Sequence, residues 1–532
     1  MRSLSGTLAD RPTGDASTHA VGSEPARMTD GGRAGSGRIL TLAPAALGGL
    51  AVAGWLLLAS FHVGDRYKIG HVQGHWMALA QYATEGTLYP PSFDGERFGG
   101  TRHMPLPILV NAAAARVTGE YLSSGKAVAI GLLGTLLGLT LLAVRRLECP
   151  WPLAVGLTGL IPVTNTGLLV GSVPGGDVLS VVLQISALLV ATLALRSDRR
   201  GLLMVAAILA GLGVCSKLTG VWASLALLSW LALRKDWTRL AHFGAACATT
   251  VFAVLGFVQW YSEGRFLTTF LTLTFAGTGG PVGAVRAPNQ LMFFALQDAA
   301  AVWIIAPFAL LGVFAAGIRG LTPFHHALAW SLLLTLGVFT DMGAGFNQLL
   351  DLIVLTVVVI GWFGASLSKE RSGPASLAAA LVVFVIWGGV TGLRGFVPDL
   401  REAVAIARTG ELPSKYNPRP LSGVVRPGEV LFSEDPGIPV LLGQKPIILD
   451  AFMLRRMAEA HPESVDTLVE RIEGQEFDHV AMVVPLDEDD FWWQYYHFGL
   501  RIVTALREHY VFIDRVDRYY LYQPRRLQPT HQ

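Results

Sequence analysis

Charge is what this sequence has least of: Asp, Glu, Lys and Arg make up 15% of 532 residues, while 52% are hydrophobic. With a mean hydropathy of +0.47, that shortage excludes an ordinary soluble chain and points to the membrane class. Cysteine is scarce too. The three present, Cys149, Cys215 and Cys247, lie in or beside hydrophobic segments at no metal-ligand spacing, so neither a disulfide framework nor a zinc site is expected. The net charge of +2 says little about a nucleic-acid or acidic partner, because the balance conceals a segregation of charge along the chain; no nucleic acid is expected as a partner. No P-loop, Rossmann glycine fingerprint or HExxH motif occurs, and no residue is assigned to a metal.

What is there is a succession of long apolar runs. Residues 1–38, rich in Gly, Ser, Thr, Ala and Arg, read as a disordered cytoplasmic tail. The run that follows is too long and too far from the start for a cleaved signal peptide, so it reads as a retained first span. Crossing a bilayer takes roughly 20 helical residues. Spans are expected at 39–62, 124–144, 151–171, 178–195, 201–216, 218–233, 240–261, 296–317, 325–340, 349–367 and 375–394, about eleven in all. The fifth and sixth are short and share the break Cys215-Ser216-Lys217, which leaves a re-entrant pair as an alternative.

Basic residues cluster at alternate ends of these spans: Arg145 and Arg146, then Arg196, Arg199 and Arg200, then Arg234, Lys235 and Arg239, then Arg319, Lys369 and Arg371. Short cytoplasmic loops are enriched in such charge, so the N-terminus is expected inside and the C-terminus outside. The whole reads as a polytopic α-helical membrane protein: a transmembrane domain over 39–396 with a large first outer loop at 63–123, and a small soluble extracytoplasmic α/β domain at 397–532. In that domain residues 430–432, 447–449, 479–484 and 519–522 read as strands, and 454–460, 465–473 and 499–509 as helices.

The unusual polar residues gather on the outer face. Asp65 directly follows the first span, where a carboxylate is placed to act as a general base, or simply to end the span beside Arg66 and Lys68. The stretch from His71 to Tyr89 fits an amphipathic helix over the mouth of the bundle. Arg102 is placed to clamp a phosphate by paired hydrogen bonds, or to bond local carbonyls. Asp177, in an outer turn, fits a helix N-cap. Lys217, with no acidic residue near it in sequence, is the best candidate for a lipid-phosphate contact, against snorkelling to the interface. Asn347, Gln348 and Asp351 have the chemistry to bind sugar hydroxyls or a cation, or to bond helix to helix. The acidic run 487–490 is read as a solvated face rather than a metal site, and the aromatics at 491–496 as a headgroup anchor or a sugar platform.

Taken in order, Asp65, the segment Glu85 to Pro91 leading to Arg102-His103-Met104-Pro105-Leu106, Gly176-Asp177, Ser216 to Thr219, Phe346 to Asp351, Ser433 to Gly437, and Arg507-Glu508-His509-Tyr510 through Tyr519 to Tyr522 resemble the GT-C superfamily of membrane glycosyltransferases. The likeness is to the bacterial branch related to protein mannosyltransferases. It implies inverting transfer of a sugar from a polyprenyl-phosphate donor to an extracytoplasmic glycan, lipid or protein, with the bilayer as surroundings and the lipid-linked sugar as co-substrate. Carried over by position, Asp65 is the base and Lys217 and Arg102 hold the donor phosphate. His103, Asp94, Asp177, Asn347, Gln348 and Asp351 are then substrate-binding candidates. A divalent cation is left open. The sequence departs from the family at Gln73, where relatives carry a second acidic residue, so Asp65 acts alone, Asp94 substitutes, or activity is lost. Two rival readings stand beside this one. A transporter or flippase calls for mid-membrane charges and repeated halves, and a non-catalytic scaffold would tolerate loss of Asp65.

Overall fold

The computed structural model describes residues 33–277, 280–341, 343–369, 375–417, 419–488 and 490–527. The chain divides into a unit Met1–Leu40 and a unit Thr41–Gln532. Most of the expected tail, residues 1–32, lies outside the described residues, and residues 33–40 are helical.

Among the described residues of the larger unit, six helices are long and apolar enough to cross a membrane: Leu42–His62, Leu122–Arg146, Asp177–Ser197, Trp237–Tyr261, Phe346–Ser368 and Ala375–Thr409. Arg200–Ser216, Leu218–Leu233 and Ala306–Gly317 are shorter apolar helices. Each of the eleven expected segments is wholly or largely helical, yet several are broken. The segment at 151–171 divides into Trp151–Gly159 and Asn165–Val170, and Gly317 interrupts the helix from Ala306 with a φ of 55°. Breaks are tolerated where neighbouring helices and side chains re-satisfy the freed backbone groups. The hydroxyl of Thr164 does this, accepting from Gly167 N at 2.9 Å.

The helices pack through small residues as well as large ones. A Cβ on Gly159 would collide with the backbone at Gly48, so these two helices meet backbone to backbone. The helix Phe346–Ser368 is 89% buried over its apolar window, and that run carries no alternation because nearly every side of it is packed against protein.

The last long helix, Ala375–Thr409, does not stop near 396. It continues through Pro398, so the expected domain boundary falls inside a helix, and apolar length alone could not mark its end. Beyond it a four-stranded sheet forms in the order β1-β2-β4-β3, where β1 is Leu431–Ser433, β2 His479–Met482, β3 Tyr510–Val516 and β4 Tyr519–Pro524. β1 and β2 are parallel, and the other neighbours antiparallel. The helices Ala451–Ala460, Asp466–Glu473 and Leu500–His509 bring apolar faces to it, forming a core around Phe432, Leu468, Val480 and Ile502. Residues 447–449, expected as a strand, instead clasp the first outer loop. Phe98 N donates to Ile447 O at 2.9 Å and Leu449 N to Phe98 O at 2.8 Å, with Phe98 buried in the domain's core.

Candidate functional site

The first outer loop folds back as a helix, His71–Thr84, buried continuously from Gly74 to Tyr82. The expected amphipathic cover is thus enclosed on both faces, with the C-terminal domain on one of them. A Cβ on Gly74 would overlap the Asp435 carboxylate and the nitrogen of Gly437, so only glycine permits this approach. Gln73, the point of departure from the family pattern, accepts from Gly70 N at 2.9 Å and closes the helix start.

Just before that helix, Asp65 is 2% exposed and fully engaged. Its carboxylate accepts from His62 Nδ1 at 2.6 Å and from Tyr67 N at 2.8 Å. Lys126 Nζ lies 3.4 Å from the same group and donates to the carbonyls of His62 (2.6 Å) and Asp65 (2.5 Å). Lys126, from within the second long helix, was not singled out in the sequence, where it reads as an ordinary helix-start charge. Arg66 turns the other way. It bonds Tyr519 Oη and sits 3.2 Å from Asp517, while Tyr519 donates to Asp435 at 2.6 Å and Arg518 reaches Asp435 and Ile69 O at 3.0 and 2.7 Å. This buried network fastens the domain to the membrane unit.

A second cluster forms at the break before Leu218. Lys217 lies 2.7 Å from Asp177, whose other oxygen accepts from Asn347 Nδ2 at 2.9 Å. Asp177 is therefore a long-range partner rather than a cap: Gly176 occupies the cap position and no side-chain cap bond forms. Asp351 is 4% exposed, within electrostatic reach of Lys217 and Asp177, and its Oδ1 has no hydrogen-bond partner. Burial disfavours the charge on Lys217, but Asp177 and Asp351 outweigh it and hold the ammonium above its ordinary value. Gln348 shares the half-buried turn Phe346–Leu349 with Asn347.

His103 belongs to the same cluster. Its ring stacks on Trp76 at 4.2 Å and lies 5.2 Å from the ring of His75, and its carbonyl accepts from Tyr89 Oη at 2.8 Å. Burial first, then His75, Arg102 and Lys217, push its imidazole well below the usual value, so it is neutral at pH 7. Arg102 is paired with Asp341, at the start of the loop that carries Asn347.

Two expected residues stand apart. Asp94 is occupied by a local turn, accepting from the backbone of Glu96 (3.0 Å) and Arg97 (2.8 Å) and from the Arg97 side chain, and it meets neither cluster. Among the described residues no hydrogen bond or ion pair joins Asp65 to Lys217 or Arg102. Nor do the described residues bring three His, Cys, Asp or Glu side chains together as a metal site.

Compared by sequence, the chain matches no family model and no curated protein. Compared by structure, it is similar to ArnT from Cupriavidus metallidurans bound to undecaprenyl phosphate, with a TM-score of 0.57 and 12% identity over 92% of this chain and 98% of that one. The chain has the GT-C fold. The apo structure of the same ArnT gives a TM-score of 0.56 at 12% identity, again over 92% and 98% of the two chains. Coverage that complete extends the GT-C likeness over the membrane unit and the C-terminal domain together.

Proposed function

We propose that this chain transfers a sugar, with inversion at the anomeric carbon, from a polyprenyl-phosphate-linked donor to an acceptor outside the cytoplasmic membrane. The observation that carries the reading is the enclosed Lys217–Asp177 pair, next to neutral His103, within the GT-C fold. ArnT with the same fold was solved with undecaprenyl phosphate, a lipid of the class proposed for the donor.

In this reading the acceptor oxygen attacks the anomeric carbon as the bond from that carbon to the phosphate oxygen breaks. The electron pair goes to the phosphate, which gains a second negative charge. Lys217, fixed in place by Asp177 and Asn347, meets that charge without reorganising, and such preorganisation is where transition-state stabilisation is largest. Arg102, held by Asp341, supplies the second cation. Asp351, Gln348 and Asn347 offer polar atoms for sugar hydroxyls.

The departing proton of the acceptor goes to a base, and by resemblance that base is Asp65. His62 and Lys126 hold its carboxylate, so the acceptor hydroxyl displaces one of these donors when it arrives. The test is stereochemical: the anomeric configuration of the product, read by NMR, is opposite to that of the donor. Retention, or no transfer by folded protein across a panel of polyprenyl-phosphate sugars, overturns the reading.

A further inference from the structure

His75 is 2% exposed, yet one of its ring nitrogens has no partner. Nδ1 lies 2.6 Å from the carbonyl oxygen of Leu449, which can only accept, so Nδ1 carries the hydrogen and Nε2 is a bare lone pair. Leaving a buried acceptor unpaired costs about 1–3 kcal/mol. The ring beside it is His103, its centroid 5.2 Å away and its face stacked on Trp76, with no hydrogen bond to His75 Nε2. His103 is half-buried rather than sealed, and it faces the cations Lys217 and Arg102.

We propose that His103 contacts the donor phosphate and takes up a proton as the phosphate docks, its ring turning against Trp76 so that Nε2 of His75 accepts the second N–H of the resulting imidazolium. This deepens the sugar-transfer reading and rests on it. A neutral imidazole has one N–H; an imidazolium has two, one for a phosphate oxygen and one for the lone pair left bare at His75. The groups around the pair make the switch depend on the ligand. Lys217 and Arg102 repel a proton at His103, while the carboxylates beside those cations are committed to them: Asp177 and Asp351 act on Lys217, and Asp341 on Arg102. Asp450 faces His75 and His71 from the C-terminal domain, and the hydroxyl of Tyr89 is spent on the His103 carbonyl. An incoming phosphate adds negative charge where the cations dominate, and the imidazolium becomes the favoured form.

Proton uptake makes binding strongest at low pH. It then weakens by up to about tenfold per pH unit as pH rises through the value His103 has in the complex. The probe is undecaprenyl methyl phosphate, a diester whose single charge is fixed across the range, added to the full-length protein in nanodiscs. Calorimetry near pH 6.5 in two buffers of different ionisation enthalpy counts the protons. Wild type is expected to take up close to one proton per ligand. His103→Gln abolishes the uptake and weakens binding. His75→Phe diminishes the uptake, while His75→Gln, which restores an acceptor, retains it. Binding without uptake in wild type, or uptake unchanged in His103→Gln, overturns the proposal and leaves sugar transfer standing. A folded wild type that does not bind the diester overturns the reading beneath it.

Discussion

Lys217 and Asp177 form a 2.7 Å ion pair at the start of one membrane helix and the break between two others, each side chain about 15% exposed. Removing one member of an enclosed pair leaves the other charge uncompensated, so the two single substitutions are expected to differ in kind. Lys217→Gln removes the charge proposed to meet the phosphate and is expected to lower kcat/KM by about a hundredfold or more. Asp177→Asn leaves Lys217 with Asp351 and chiefly raises KM. Steady-state kinetics on both variants check this split.

Asp65 and Lys126 are coupled through burial. Asp65→Asn leaves the Lys126 ammonium enclosed against a neutral amide, which lowers stability by about 3–5 kcal/mol if no water enters. The double variant Asp65→Asn with Lys126→Met removes the charge as well and recovers most of that stability, yet transfer stays absent. Thermal unfolding in detergent, measured beside sugar transfer, separates the base from the buried pair.

Gly74→Ala places a methyl group into the Asp435 carboxylate and the backbone of Gly437. Overpacking of this kind costs about 1–3 kcal/mol. Because Asp435 also holds Tyr519 and Arg518, the C-terminal domain loosens from the helix His71–Thr84. Limited proteolysis is expected to cut between that domain and the membrane unit faster in the variant than in wild type.

His71 lies against His497, whose Nδ1 bonds the fully buried Glu434. Burial, and then the neighbouring His497, lower the His71 imidazole to about 4. The unfolded chain protonates near the ordinary 6.5 and the folded one only near 4, so between these values the unfolded state binds more protons. Stability from the neutral ring is complete above 6.5 and is lost as pH falls toward 4. The difference in melting temperature between wild type and His71→Gln therefore shrinks across that window, and a difference independent of pH contradicts this account.

The membrane segments were legible because an apolar run of span length has few other uses, and the basic clusters at 145–146 and 196–200 marked their ends. Lys217 stood out as a charge without a partner near it in sequence. That partner, Asp177, is 40 positions away, and only packing brings the two together. Lys126 gave no signal, since a lone lysine near a helix start is ordinary until its burial is known, and His75 was one ionisable residue among many in the first outer loop. The strand β3 hid behind the charges Asp514 and Arg515 on its exposed face, and residues 447–449 read as a strand because Ile447, Ile448 and Leu449 fit one; they pair with Phe98 outside the sheet.

The central claim is tested most directly by incubating the full-length protein in nanodiscs with radiolabelled polyprenyl-phosphate sugars and a membrane acceptor extract, beside Lys217→Gln. The account predicts label moving from lipid to acceptor with wild type and little or none with the variant, while both stay folded. Equal transfer by the two proteins, or no transfer and no donor binding by wild type across the panel, would contradict it.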